Sequence, residues 1–570
     1  MRACTGEEDD TEGEAQGEEL ETLPGYLPGH TPRDTQRSFT DIVFVPVFAV
    51  ALLVVAVLIT TAVQKGAFQR LVALPNKQGQ LCGIEGRGPY LFFCREGDDV
   101  DLSRQVCLQE CPAENDVDVT ACERFGGSLK SYPSAPVAGM LCMPSPARMV
   151  QDVRHLFASN AYFKTLFDVL ELSFDWEQPM LAALLACCFS HTYLLCLSRF
   201  AEAMLQFGLV FLVVVPTTTG LLFLYMSLSP DVVAPRSFAE MISTGSTHAD
   251  GAIGCWFMLV ALLAACMAAV RANSIDTALP NLEEAAHCFR QLPSVGLEPW
   301  ISAAVQVALL LPGVLGLLML NMSGELTVPV DFSHATAIYH SDFSVVLSLM
   351  CYVVVLVWIF ELKHALSQFA TMLTAELWYF RKPSTARGTF DTFDRGACDI
   401  LLGYQCGLIY HLGSLIYGSL LCTFLRLPRM VASFMVQSLE GADNPVTSFF
   451  QRSCQCCLAQ AERLLTTVTS LGYCDIAMNS TSYRSGAEHA MSLLEENGTG
   501  LVAGRIAGTI SLIGAGLVSL GTALSTWLVC STVSRYNSRL SEHYVADKRA
   551  VMVCAAIVGA LLSLPFMHLF

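Results

Sequence analysis

The sequence predicts an all-α polytopic membrane protein of about 9–10 transmembrane helices, with a disulfide-bearing extracellular domain after the first span. Three observations carry this expectation. Hydrophobic residues make up 53% of the 570 and charged residues only 15%, with a mean hydropathy of +0.48, too little charge to coat a soluble protein of this size. Apolar runs of about twenty residues, the length a helix needs to cross hydrocarbon, recur along the chain. A polar stretch with six cysteines separates the first two runs.

The elements follow in order. Residues 1–38 are expected to be a disordered, acidic, cytosolic N-terminus. Ten Asp or Glu fall within residues 1–36, Glu7, Glu8, Asp9 and Asp10 among them, with few apolar side chains to bury. An acidic docking tail and a solvated leader both fit. The net charge of −18 argues against nucleic acid, whose phosphates need a basic partner. The first transmembrane segment is assigned to 39–63. Its apolar run, 42–63, is about 33 Å long as a helix and reads as a signal anchor rather than a cleaved signal peptide. Arg33 and Arg37 before it and Lys65 and Arg70 after it give no clear orientation bias.

Residues 64–179 are expected to form a cysteine-rich extracellular or lumenal domain carrying Cys82, Cys94, Cys107, Cys111, Cys122 and Cys142. An even count in a loop-rich segment implies three disulfides in an oxidising compartment, with fifteen pairings open. A metal site fits less well, because no second Cys or His pair stands at ribbon spacing from Cys107 and Cys111. The N-terminus then faces the cytosol.

Further spans are expected near 180–198, 203–228, 251–271, 298–321, 343–367, 401–425, 501–529 and 549–570, giving a transmembrane bundle at 180–425 and C-terminal transmembrane helices at 501–570. The sequon at Asn321 falls on the outer side by this count, whereas the sides of the Asn479 and Asn497 sequons stay open. Residues 426–500 mix Arg452, Arg463, Cys454, Cys456 and Cys457 with Leu and Val and are expected as an amphipathic, cysteine-containing, cytosolic segment at the membrane surface. The cysteines suit free thiols, S-acylation or metal. Nine spans put the termini on opposite faces; a broken or re-entrant helix between 380 and 500 would restore both to the cytosol.

A series of landmarks in fixed order then stands out. Phe39-Thr40-Asp41 precedes the first span; Gly79-Gln80-Leu81-Cys82-Gly83, Tyr90-Leu91-Phe92, Cys107-x-x-x-Cys111-Pro112 and Cys142-Met143-Pro144 follow it. Leu282 to Ser294 comes before the span opening at Pro299. Trp358 through Gln368 to Trp378-Tyr379-Phe380 is followed by Tyr410-His411-Leu412-Gly413-Ser414-Leu415-Ile416-Tyr417-Gly418-Ser419, Arg426, Arg429 and Ser485-Gly486-Ala487-x-x-Ala490. In this order the chain resembles the choline transporter-like family, from residue 39 to about 560. It departs at Tyr483-Arg484-Ser485-Gly486, where the family has a Cys and Ser-Ala pair, and at Phe570, where the family usually runs on into a cytosolic tail. The resemblance implies transport of choline, and of ethanolamine in some cases, through about ten spans in a plasma or organelle membrane.

Chemistry at the residue level agrees. Choline is a permanent cation without N–H donors, so aromatic faces suit it, each worth about 0.5–2 kcal/mol. Trp358, Glu361, Ala365 and Gln368 share one helical stripe at spacings of three and four. Tyr352 stands above them, and Tyr417 lies in the Gly-Ser-rich element. The candidate substrate-binding residues are therefore Trp358, Glu361, Gln368, Tyr352 and Tyr417. Glu361 draws notice because an ionisable group at membrane depth usually faces an interior; pairing with Lys363 or His364 is its structural alternative. Trp378 and Tyr379, beside Arg381 and Lys382, suit an interfacial belt. Gly413-Ser414 and Gly418-Ser419 suit close helix packing or an unwound turn, and His411 suits a packed histidine or a proton carrier.

Gly514-Ala515-Gly516 lies in an apolar span, so helix packing explains it. No Walker lysine, His-Glu-x-x-His or Gly-x-Ser-x-Gly motif supports a pump or hydrolase, so no catalytic residue, cofactor or metal is assigned. An inside-negative potential of about 100 mV is worth roughly 2.3 kcal/mol per charge, enough to drive a cation inward without a co-ion; proton exchange is also compatible. The alternative is a non-transporting receptor or scaffold that uses the cysteine-rich ectodomain.

Overall fold

The computed structural model describes residues 35–73, 80–84, 87–96, 99–112, 132–137, 141–144, 177–228, 246–270, 272–292, 294–327, 338–340, 342–380, 399–439, 445–496, 498–537 and 548–567, with Pro32 and Asn76. Helix α1 (Phe44–Gln64) is Val- and Leu-rich, with α2 (Ala67–Val72) at its far end. Its outward residues Val47, Val50, Leu53, Val54 and Val57 stay exposed, as lipid-facing positions do, while the helix satisfies its own backbone.

Four strands follow: β1 (Tyr90–Glu96), β2 (Asp99–Leu108), β3 (Ser134–Val137) and β4 (Leu141–Pro144). The sheet runs in the order β2-β1-β4-β3, with β1 parallel to β4 and both outer pairs antiparallel. The Cys82–Cys107 and Cys111–Cys142 disulfides tie it together, and Cys94 is also disulfide-bonded. Cys122 lies outside the described residues. Tyr132 stacks on Phe92 at 4.7 Å and donates to the Phe93 carbonyl at 2.8 Å. Burial pushes its hydroxyl up in pKa, against the pull of that bond. So small a sheet has little core of its own, and the cross-links supply what burial does not.

The remaining helices are α3 (Glu177–Arg199), α4 (Ala201–Leu228), α5 (Thr247–Val270), α6 (Ala272–Gln291) and α7 (Glu298–Asn321), then α8 (Phe343–Tyr379), α9 (Asp399–Ile409), α10 (Leu412–Leu439) and α11 (Pro445–Asn479). The chain continues through α12 (Tyr483–Glu496), α13 (Gly498–Thr532), α14 (Ser534–Asn537) and α15 (Lys548–Met567). A two-stranded ribbon, Glu325–Thr327 with Ile338–His340, joins α7 to α8. Among the described residues, seven helices are long and apolar enough to cross a membrane; α9 with α10, bent by 82°, makes an eighth, and Val551–Met567 is a shorter apolar helix. The chain is a multi-pass integral membrane protein, and these nine segments match the nine expected runs.

Helix α8, about 55 Å long, is the central post and packs against α1, α7, α9, α10 and α11. A second core joins α3, α13 and α15 through Leu194, Leu197, Val518 and Phe566. Within 426–500, expected as an amphipathic cytosolic segment at the membrane surface, α11 runs back along α10 and α8, and α12 packs on α11. The end of α11 returns to the beginning of α10, where Ser480 Oγ meets His411 Nε2 at 3.5 Å. Residues 35–41, a strap leading into α1, touch the same end of α11. The Asn479 sequon therefore lies on the strap side, across α1 from the disulfides. Asn321 ends α7 on the disulfide side, where Arg70 holds the carbonyls of Met322 and Gly324 at 3.1 and 2.6 Å.

Two outcomes are expected. Non-reducing peptide mapping recovers Cys82 joined to Cys107 and Cys111 joined to Cys142. Asn321→Gln abolishes any glycosidase-sensitive gel shift, whereas Asn479→Gln leaves it unchanged.

Candidate functional site

Of the five expected residues, Trp358 and Glu361 lie buried on one face of α8, toward α10, which carries Tyr417. Trp358 is 4% exposed and donates from Nε1 to Ser419 Oγ at 3.2 Å on α10. Its ring receives Phe48 of α1 edge-on, with centroids 5.0 Å apart. One turn earlier on α1, Phe44 stacks on Tyr417 at 4.2 Å, and Tyr417 meets Tyr483 edge-on at 5.0 Å. Tyr473 of α11 lies 6.2 Å from Tyr483; its hydroxyl is buried without a hydrogen-bond partner among the described residues. Four helices and the start of α12 thus converge aromatic rings on one region. Edge-to-face and offset stacking favour such sets beyond their buried area.

Tyr352 and Gln368 are not in this cluster. Tyr352 donates to Gly313 O at 3.1 Å and packs between α1 and α7. Gln368 is half-buried, one residue from Phe369, which is fully buried. Trp378, expected at an interface, donates to Gln291 Oε1 at 2.7 Å on α6, while Tyr379 is 69% exposed.

The strap is built into the break between α9 and α10. Thr40 N donates to Tyr410 O at 3.1 Å, and Thr40 Oγ1 bonds His411 Nδ1 at 3.0 Å. Ser414 Oγ reaches Thr40 Oγ1 at 2.8 Å and Asp41 Oδ2 at 2.6 Å, and Tyr483 N donates to the same Asp41 oxygen at 2.8 Å. Gly413 and Gly418 are small because backbones and rings meet there: a Cβ would stand 2.2 Å from Asp41 O at the first and 2.4 Å from Tyr473 Oη at the second. Close packing is thus the role of the Gly-Ser pairs, while the break itself falls at Tyr410-His411. His411 is fully buried and bonded through both ring nitrogens.

Glu361 is ion-paired with Arg426 of α10, not with Lys363 or His364 of its own helix. Arg426 also meets Glu462 of α11 at 3.1 Å, and Arg429 meets the other Glu462 oxygen at 2.5 Å. Two carboxylates and two guanidiniums make a neutral set that joins α8, α10 and α11. On the opposite side of α8, Glu298 accepts from Ser367 Oγ at 2.5 Å and Tyr404 Oη at 2.9 Å, and Lys363 donates to Gln306 at 3.4 Å. Among the described residues no group of His, Cys, Asp and Glu could hold a metal ion.

A family described as "Plasma-membrane choline transporter" matches residues 255–570, more than half of the chain. The chain belongs to the choline transporter family. The matched part holds Trp358, Glu361, Tyr417, Arg426 and Glu462, while Phe44, Phe48 and the strap lie ahead of it. Among relatives, Choline transporter-like protein 1 of Mus musculus is 30% identical over 181 residues, 32% of this chain and 25% of the relative. Choline transporter-like 1 of Anopheles gambiae is 24% identical over 88% of this chain and 82% of its own length. Choline transporter-like protein 5-A of Danio rerio is 27% identical over 26% of the chain and 20% of its own. The chain thus spans only a quarter of the mouse relative in that match, yet most of the mosquito one.

Phe44 and Phe48 went unnoticed in sequence because they look like two more apolar residues of a first span. Their spacing of four, on one face just inside the span, was the available signal. Glu462 gave none, since its arginine partners stand 33 and 36 residues away on another helix.

Glu361→Gln is expected to lower the detergent-state Tm. The loss is about 1–3 kcal/mol, below the roughly 3–5 kcal/mol of a fully buried pair, because the Arg426 side chain is partly solvated. In a thermal-shift double-mutant cycle, Arg426→Gln adds less in that background than alone.

Proposed function

We propose that the chain carries choline, or a related small quaternary ammonium, across the plasma membrane. The observation that carries this is the ring cluster of Phe44, Phe48, Trp358, Tyr417 and Tyr483, contributed by α1, α8, α10 and α12. A trimethylammonium head offers no N–H to an acceptor, but it is attracted by the faces of aromatic rings at about 0.5–2 kcal/mol each when dry. Family membership supports the same substrate class. The buried Tyr473 hydroxyl next to Tyr483, without a partner among the described residues, is suited to a substrate that also carries a hydroxyl, since a buried polar group without a partner costs about 1–3 kcal/mol.

Trp358 and Tyr417 are the cage residues in this proposal. Glu361 supplies negative charge that Arg426 neutralises in the present state, so it serves the cation only when α10 shifts. Tyr352 and Gln368, farther from the rings, line the approach on the two sides of Trp358. Uptake follows the membrane potential, which at about 100 mV sustains roughly fifty-fold accumulation of a monovalent cation.

Labelled choline uptake into proteoliposomes tests the proposal. Saturable uptake driven by an inside-negative potential is expected, and its absence from folded protein in either orientation would refute it. Trp358→Ala is expected to raise the apparent KM about ten-fold or more, at unchanged surface expression. Tyr473→Phe should raise the KM for choline while leaving inhibition by tetramethylammonium, which has no hydroxyl, unaltered.

A further inference from the structure

The strap's contacts extend beyond the helix break. Thr35 Oγ1 donates to Met478 O at 2.9 Å, Ser38 N to Ser480 Oγ at 3.0 Å, and Arg37 Nη1 to Ala477 O at 2.6 Å. Met478 and Ala477 are in the last turn of α11, and Ser480 follows it directly. Thr35, Ser38 and Thr40 make neutral bonds, while the Arg37 guanidinium and the Asp41 carboxylate make charge-assisted ones toward the two ends of the strap, so no salt bridge is needed to seat it. The helix it leads into keeps its outer face exposed and meets the bundle through Phe44 and Phe48 near the strap and through Val55, Leu58, Ile59 and Ala62 toward its far end.

Beneath the strap lies Glu376. It follows Trp358 on α8 by about five full turns, which returns it to the same helix face some 27 Å nearer the strap end. Glu376 is 8% exposed; Oε1 accepts from Cys474 Sγ at 3.0 Å, and Oε2 has no partner among the described residues. Neighbouring Asp475 is occupied by Asn479, Thr481 and His489 at 2.7–2.8 Å. Arg37 donates to the Ala477 carbonyl, three residues beyond Cys474 on α11, and to the Pro32 carbonyl, which seats its guanidinium one turn from the Cys474–Glu376 contact. Between Trp358 and Glu376 the face is filled by Ala365, Phe369 and Leu373, packed in one core with Leu415.

We propose that residues 35–41 form a cytosolic latch, and that Glu376 beneath it is a cation subsite covered by Arg37 while the latch is docked. The identity of the cation, a small quaternary ammonium, rests on the transport proposal above; the latch itself does not. Exchange of one monovalent cation for another keeps the charge balance at a buried carboxylate, so Arg37 leaves as the substrate arrives. Undocking also frees the beginning of α1, which carries Phe44 away from Tyr417 and opens the ring cluster toward the strap side.

Cys474, a half-buried free thiol beside Glu376, reports on this directly. Full-length protein in inside-out vesicles is treated with 2-(trimethylammonio)ethyl methanethiosulfonate, and modification of Cys474 is followed by peptide mass spectrometry. Arg37→Ala is expected to speed modification about ten-fold over wild type. Tetramethylammonium should then protect Cys474 in Arg37→Ala but not in Arg37→Ala with Glu376→Gln. A Thr35→Cys, Met478→Cys pair cross-linked by oxidation should slow modification below wild type, which guards against an effect of misfolding in Arg37→Ala. Equal rates in wild type, Arg37→Ala and the cross-linked pair would overturn the latch. Protection that survives Glu376→Gln would overturn the subsite. Choline uptake by wild-type proteoliposomes separates the two ideas. Uptake with unaltered Cys474 rates removes the latch alone, and faster modification with no uptake removes the choline proposal alone.

Discussion

A helix that bends by 82° at Tyr410-His411 interrupts its own hydrogen-bond ladder inside a hydrophobic bundle, where an unpaired carbonyl is costly and water is scarce. The strap answers that need. Thr40 N takes the Tyr410 carbonyl, the Thr40 hydroxyl takes His411, and Asp41 takes Ser414 and the first amide of α12. Much of the surrounding geometry follows from this set. Once Thr40 and Asp41 are seated, the next residues of the chain place Phe44 on Tyr417 and Phe48 on Trp358. The first helix is thus aligned with the family-matched bundle by a handful of polar contacts at its entrance, not by extensive burial along its length.

Charge is managed in the same economical way. Glu361, Arg426, Glu462 and Arg429 are mutually compensating, so three helices are joined without leaving a net charge in the bundle. Such sets add little net stability over apolar packing, but breaking them is expensive. Their value lies in specifying one arrangement of α8, α10 and α11. Glu298 is handled differently, by hydroxyl donors from Ser367 and Tyr404. Helix α8, 37 residues long, anchors both sets, through Glu361 on Arg426 and through Ser367 on Glu298.

The nine apolar segments, the oxidised domain after the first of them and the family were all legible in sequence, because each depends on composition, run length or local order of residues. The stripe through Trp358 and Glu361 was legible too, since helical periodicity alone puts those positions on one face. Their partners were not. Ser419 and Arg426 lie 61 and 65 residues downstream, and Phe48 lies hundreds of residues upstream. The return path of α11 was hidden for a related reason: Glu462 faces the arginines of α10 while Arg463 and Leu464 beside it are exposed, so composition alone does not say which side packs.

The sequence by itself determined a multi-pass membrane protein with a cross-linked domain, because hydrocarbon imposes a minimum apolar length and oxidation pairs cysteines, and the order of its motifs carried the resemblance to the choline transporter family. Only the tertiary structure decided what stands next to what. It put the strap in the break between α9 and α10, gave Glu361 to Arg426, set Phe44 and Phe48 against Tyr417 and Trp358, and left one oxygen of Glu376 and the hydroxyl of Tyr473 without partners among the described residues. Those outcomes depend on the crossing of helices far apart in the chain. Local propensity and periodicity carry no information about that crossing.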